Sequence, residues 1–146
     1  MSIATSDIAR AKTMQLATSR DGQPWVCTVY FVIKNSNLYW LSFPDRRHSS
    51  ELADNPKAAV AIAVEQDVPV VGVQAEGDVR LVKDPAEAEG VLESYVEKYG
   101  KGRDFIGLLK EGRNRHDLYC LVPRKVMIFD ERSGEGVPYR QITLTD

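Results

Sequence analysis

The residues best suited to chemistry lie between Leu38 and Pro56, in LYWLSFPDRRHSSELADNP. Ser42 ends an apolar run, and Arg46, Arg47 and His48 stand at or just before the start of a helical stretch. Free backbone N–H groups and the positive end of a helix dipole attract anions at such a place. Guanidinium groups pair with phosphate through two parallel hydrogen bonds, and Ser42, Ser49 or Ser50 can add hydroxyl donors. This spacing points to a phosphate cradle; a solvated basic turn is the competing reading of the RRH triplet taken alone.

Other candidates carry less. Trp25, Tyr30, Phe31, Tyr39 and Trp40 can stack on a planar ring, but aromatic residues on apolar strands also pack cores and dimer interfaces. Arg113, Arg115 and His116 in GRNRHD make a basic loop, and Glu76 and Asp78 read as carboxylates on the polar face of a strand. Cys27 and Cys120 sit in apolar stretches and read as buried reduced thiols. With His48 and His116 they lack the short ligand spacing of a zinc site. Gly134-Glu135-Gly136 is a turn signal rather than a nucleotide fingerprint, because no strand-to-helix transition surrounds it.

The elements that must position these residues are mostly strands. SDIARAKTM (6–14) predicts a short helix capped by Ser6. MQLATS and WVCTVYFVI (25–33) flank Asp21-Gly22, a hairpin signal, and a second hairpin passes through Asn35-Ser36 into LYWLSF. RRHSSELADN makes two to three helical turns before Asn55-Pro56 stops it. AAVAIAV (58–64) reads as a buried strand, and VVGVQAEGDVRLV alternates as a half-buried one with Gln74, Glu76 and Asp78 on its polar face. Asp84-Pro85, with Glu87 three residues after the cap, starts a helix that Gly100 ends. A short helix in DFIGLLK (104–110), strands DLYCLVP and KVMIFD, and a last strand within VPYRQITL complete the order. Antiparallel neighbours with short turns and few helices predict a mainly β fold, a β-barrel with covering α-helices.

Composition narrows the function classes. The 146 residues are 43% hydrophobic, enough for one domain over residues 1–146 with a continuous core. Nineteen Lys and Arg against 21 Asp and Glu leave a net charge of -2, which argues against nucleic acid or an anionic membrane as partner. No apolar run approaches the roughly 20 residues of a membrane span, and MSIATSDIARAKT lacks the apolar core of a signal peptide. A cytoplasmic protein is the expectation.

Over about residues 14 to 82, MQLATSRDGQPWVCTVYFV, LYWLS, RRHSSELADNPKAAVAI and VQAEGDVRLV together resemble the pyridoxamine 5′-phosphate oxidase-like family of FMN-binding split barrels, including its short bacterial members. The resemblance implies FMN, with the isoalloxazine ring along Val26, Cys27, Thr28 and Val29. It implies ribityl or phosphate oxygens at Ser42 and a phosphate grip at Arg47 and His48, with Arg46 as a substitute where His48 replaces the family's lysine. A polar side chain from the fifth strand meets the flavin, and Gln74 matches it. It further implies a homodimer with FMN at the interface, which would let Arg140 or Arg113 reach the partner's flavin. Authentic pyridoxamine-phosphate oxidases carry a basic, Trp-containing C-terminal segment, whereas only Tyr139 and Arg140 hint at one here, so that reaction is not implied. The leading expectation is an FMN-dependent oxidoreductase of a small-molecule substrate. A flavin-binding or redox-sensing module without turnover, and the same fold holding deazaflavin F420 or haem, are the alternatives.

Overall fold

The computed structural model describes residues 5–100, 115–133 and 139–144. Along the chain run α1 (Thr5–Ala9), β1 (Thr13–Arg20), β2 (Gln23–Tyr30), β3 (Val32–Lys34), β4 (Asn37–Ser42) and α2 (Arg47–Asp54). β5 (Lys57–Glu65), β6 (Val71–Leu81), α3 (Pro85–Tyr99), β7 (Asp117–Asp130), a 3-10 turn (Glu131–Ser133) and β8 (Tyr139–Ile142) follow. The expected helix over 104–110, Arg113 and Gly134-Glu135-Gly136 lie outside the described residues. No described helix is long and apolar enough to cross a membrane.

Among the described residues all strand pairs are antiparallel, in the order β2-β1-β5-β6-β7-β4-β3, with β8 added beside β7. The sheet curls about a core that includes Met14, Leu16, Phe31, Leu38, Trp40, Ile62 and Ile128. The fold is mainly β, as the strand pattern predicted. β7 pairs β4 through Leu38↔Leu121 to Ser42↔Asp117, and further along pairs β8 through Val126↔Ile142 to Phe129↔Tyr139.

Local signals account for the turns. Asp21 and Gly22 both have positive φ, 52° and 77°, as the two central residues of a type I′ hairpin require. Asp84 accepts the Ala86 N–H at the start of α3, and Gly100 closes it in the left-handed conformation. Glu87, however, does not return to the cap. Its carboxylate accepts from Tyr39 Oη at 2.7 Å and from both Arg80 Nη atoms at 2.9 and 2.7 Å, tying α3 to the sheet.

Three expectations needed correction, each because a tertiary partner overrode a local pattern. The helix over 6–14 stops at Ala9, and Met14 belongs to β1, where it pairs with Val29 and fills the core; so short a helix cannot compete with a ladder. The strand over 25–33 breaks at Phe31. There Tyr99 Oη accepts the Phe31 N–H at 3.0 Å, and Tyr99 Oη and Lys98 Nζ donate to its carbonyl at 2.6 and 2.8 Å. Finally, 117–123 and 125–130 form one strand, with Pro123 tolerated opposite a register shift between Glu76 and Gly77 of β6.

The two apolar faces of residues 25–33 have different fates. Val29 and Phe31 enter the core, while Val32 joins Tyr39, Leu118 and Cys120 beneath Val91 and Tyr95 of α3. Val26 and Tyr30 remain uncovered, at 59% and 62% exposure.

Candidate functional site

Strand alternation places one residue in two on the outward face of the sheet. The register aligns Val26, Ala17, Ala59, Glu76 and Lys125 in one row, and Thr28, Gln15, Ala61, Gln74 and Met127 in the next. Small alanine side chains in the middle of these rows leave a trough of about 410 Å³, with Val26 at one wall and Gln74, Met127 and Tyr139 at the other. Tyr139 Oη donates to Gln74 Oε1 at 2.9 Å, and Thr28 Oγ1 donates to Gln15 Oε1 at 2.9 Å. The trough runs on, through Gln15, Ala61 and Gln74, into a hollow of about 600 Å³ bordered by Lys12, Thr13 and Gln66. Of the four residues expected along a ring, Val26 and Thr28 belong to this outward face. Val29 is buried in the core, and Cys27 packs against the core as a half-buried free thiol whose pKa burial raises.

The expected phosphate cradle lies at the head of α2. Arg46 is its N-cap in extended conformation, and its side chain makes no capping bond. Ser42 Oγ and His48 Nε2 lie 2.6 Å apart, both buried. Burial, followed by the charge of Arg46, lowers the His48 pKa, with Glu51 acting in the opposite sense. His48 is therefore a neutral imidazole near pH 7. The Arg46 guanidinium sits over the Phe43 ring, 5.1 Å from its centroid, in a cleft of about 230 Å³ shared with Asp45 and Arg115. His116 stacks on the Phe43 ring at 4.0 Å.

Arg47 is the most constrained cation of the cradle. Its Nε donates to Glu51 Oε2 at 2.8 Å, and its Cζ lies 4.1 Å from the centre of the Trp25 ring. Glu51 is only 2% exposed, and its other oxygen accepts from Thr18 Oγ1 at 2.9 Å. The Arg47 hydrogen bond holds this carboxyl below its usual range. Arg20 ties the same helix to β1 by donating to the Ser50 carbonyl and hydroxyl and to Asp54. Sequence reading did not single out Glu51, although its i,i+4 spacing from Arg47 was the available signal. Nor did it identify Trp25 as the platform of Arg47, since the two meet only through the β1–β2 hairpin.

Cradle and trough are not one cavity. They meet across β2, where Trp25 carries Arg47 and the next residue, Val26, walls the trough. β2 is a terminal strand of the sheet order, so among the described residues the backbone groups on its far side have no strand partner. Arg140 is exposed on β8, opposite Ile128.

Solved structures resemble this fold across most of the chain. A conserved hypothetical protein from Mycobacterium tuberculosis superposes with a TM-score of 0.76 at 18% identity, covering 97% of this chain and 89% of its own. An FAD-binding protein from Mesorhizobium loti gives a TM-score of 0.63 at 19% identity, covering 86% and 90%. A haem storage protein from Vibrio cholerae gives 0.65 at 20% identity, covering 86% and 89%. No curated protein matches the chain in sequence. The profile of the pyridoxamine 5′-phosphate oxidase family matches residues 4–127, and on that span, with this split-barrel fold, the chain belongs to that family.

Proposed function

We propose that the protein holds FMN in a homodimer and works as an oxidoreductase on a small-molecule substrate. The observation that carries this reading is the meeting of trough and cradle across β2: a flat seat lies on one side of an open strand edge and a pinned guanidinium on the other. Trough dimensions and an alanine floor suit a planar ring, with Gln74 and the outer backbone edge of β2 offering hydrogen bonds to its polar rim. Arg46 and Arg47 take the phosphate, above the buried Ser42–His48 pair. Bound flavin supplies the electron transfer; this chain binds it, orients it and excludes water from one face.

Val26 and Tyr30, exposed on the outward face of β2, offer apolar surface for a second copy, and Arg140, exposed on β8, is the residue assigned to the partner's flavin in this reading. Relatives of this fold include FAD-binding and haem-storage proteins, so the ligand must be read directly. Neither histidine lines the trough, which favours flavin over a histidine-ligated haem there. The absorption spectrum of the purified protein is expected to show the two flavin bands, and FMN is expected to bind far more tightly than riboflavin. A haem Soret band, a single deazaflavin band, or equal affinity for FMN and riboflavin would overturn the reading.

A further inference from the structure

We propose that Glu51 is a positioning and specificity-determining residue of the phosphate grip: by holding Arg47 against Trp25 it fixes which edge of the guanidinium faces the ligand, and its charge reduces the preference for a doubly charged phosphate. The inference rests on the assignment of phosphate to Arg47 made above. A surface arginine samples many rotamers, and ordering it opposes binding. Here two contacts remove that freedom: the Glu51 carboxylate accepts from Nε, and Cζ lies over the Trp25 ring, 4.1 Å from its centroid. Among the described residues the two Nη nitrogens make no hydrogen bond, so this edge is the one presented to an anion. Thr18 in turn fixes the carboxylate from β1, so the orientation of Arg47 is inherited from the sheet rather than from the helix.

The charge inventory follows from the same contacts. Arg46 and Arg47 contribute two positive charges, Glu51 removes one, and His48 is neutral inside its bond to Ser42. Arg20 is engaged by Asp54, and Arg115 and Arg46 share their cleft with Asp45. A grip with this balance holds a singly charged phosphodiester nearly as well as a doubly charged phosphomonoester. Replacing Glu51 by the isosteric amide keeps a carbonyl acceptor for Arg47 Nε and reverses the Thr18 contact, the amide NH2 donating to Thr18 Oγ1, while deleting the charge.

The test compares riboflavin, FMN and riboflavin 4′,5′-cyclic phosphate, which share one ring and carry no, two and one phosphate charges near pH 8. Affinities are read by flavin fluorescence for the wild type, Glu51→Gln, Glu51→Ala and Arg47→Lys, with Trp emission recorded for each. Glu51→Gln is expected to shift the FMN to cyclic-phosphate affinity ratio roughly three- to tenfold toward FMN, as removal of one nearby charge should. Glu51→Ala is expected to lower both phosphates toward riboflavin and to change Trp emission, because Arg47 leaves the ring. Arg47→Lys keeps the charge without the fork, and is expected to lose most of the preference for phosphate. Wild-type preference for FMN over riboflavin with an unchanged ratio in Glu51→Gln overturns the role of Glu51 alone. Full FMN preference in Arg47→Lys overturns the positioning even if the Glu51 variants do not fold. Equal wild-type affinity for FMN and riboflavin overturns the phosphate assignment itself, and this inference with it.

Discussion

Ser42 Oγ and His48 Nε2 lie 2.6 Å apart in a buried hydrogen bond, so two side chains expected to grip a phosphate are joined to each other. The pair forms because β4 ends at Ser42 and the first turn of α2 folds His48 back over it. Burial keeps the imidazole neutral, and the cationic work at the head of α2 passes to Arg46 and Arg47.

That neutrality gives a pH dependence. The His48 pKa is lowered by burial and then by Arg46, and His116 is lowered by the same two causes. Between the lowered folded values and the ordinary imidazole value of about 6.5, the unfolded chain binds more protons than the fold. The histidine contribution to stability is therefore complete above this window and is lost as pH drops through it. Urea midpoints measured from pH 7.5 to 5 should decline, and His48→Gln, which leaves an amide beside Ser42, should flatten part of the slope. An unchanged slope in the variant would assign the effect to His116, and a midpoint that rises on acidification would contradict both.

Arg47→Ala removes the pinned guanidinium and should weaken FMN binding by about 1.5 to 3 kcal/mol, the range for charge-assisted hydrogen bonds. Riboflavin affinity should change little. Titrations at low temperature keep the variant folded despite the loss of Glu51's partner, and an equal loss for both ligands would place Arg47 away from the phosphate.

The uncovered face of β2 predicts association. Val26→Glu with Tyr30→Glu places charge on two exposed positions, so the monomer fold should survive within about 1 kcal/mol. Light scattering should show a dimer for the wild type and a monomer for the double variant, with matching circular dichroism. A wild type that is monomeric at micromolar concentration and still binds FMN stoichiometrically would remove any need for residues reaching across.

Gly77 of β6 faces the β7 backbone at close range. A Cβ there would collide with the Val122 carbonyl, which is backbone and cannot rotate away. Gly77→Ala should cost about 1 to 3 kcal/mol as overpacking, seen as a lower urea midpoint with an unchanged slope. A neutral substitution would mean that the register shift between Glu76 and Gly77 can migrate.

The sequence by itself determined whatever depends on neighbours a few residues away. Asp21-Gly22 specified its hairpin through two positive φ angles, Asp84-Pro85 and Gly100 bounded α3, and Asn55 ended α2. Alternation along β6 placed Gln74 on the polar face, and the cluster at the head of α2 was visible as Arg46, Arg47 and His48. Tertiary structure decided what those residues meet. Phe31 leaves the ladder because Tyr99 and Lys98, more than sixty residues on, take its backbone groups. Pro123 stays within β7 because β7 bulges at the next residue, Arg124, which is skipped between the Glu76↔Lys125 and Gly77↔Pro123 pairs. Arg47 rests on Trp25, and Glu51 is buried, only because the β1–β2 hairpin brings Trp25 and Thr18 side by side against α2. Charge and spacing are written locally, whereas burial and the direction of a side chain belong to the packing of distant segments: burial lowers the His48 pKa, and Glu51 and Trp25 hold Arg47 in place.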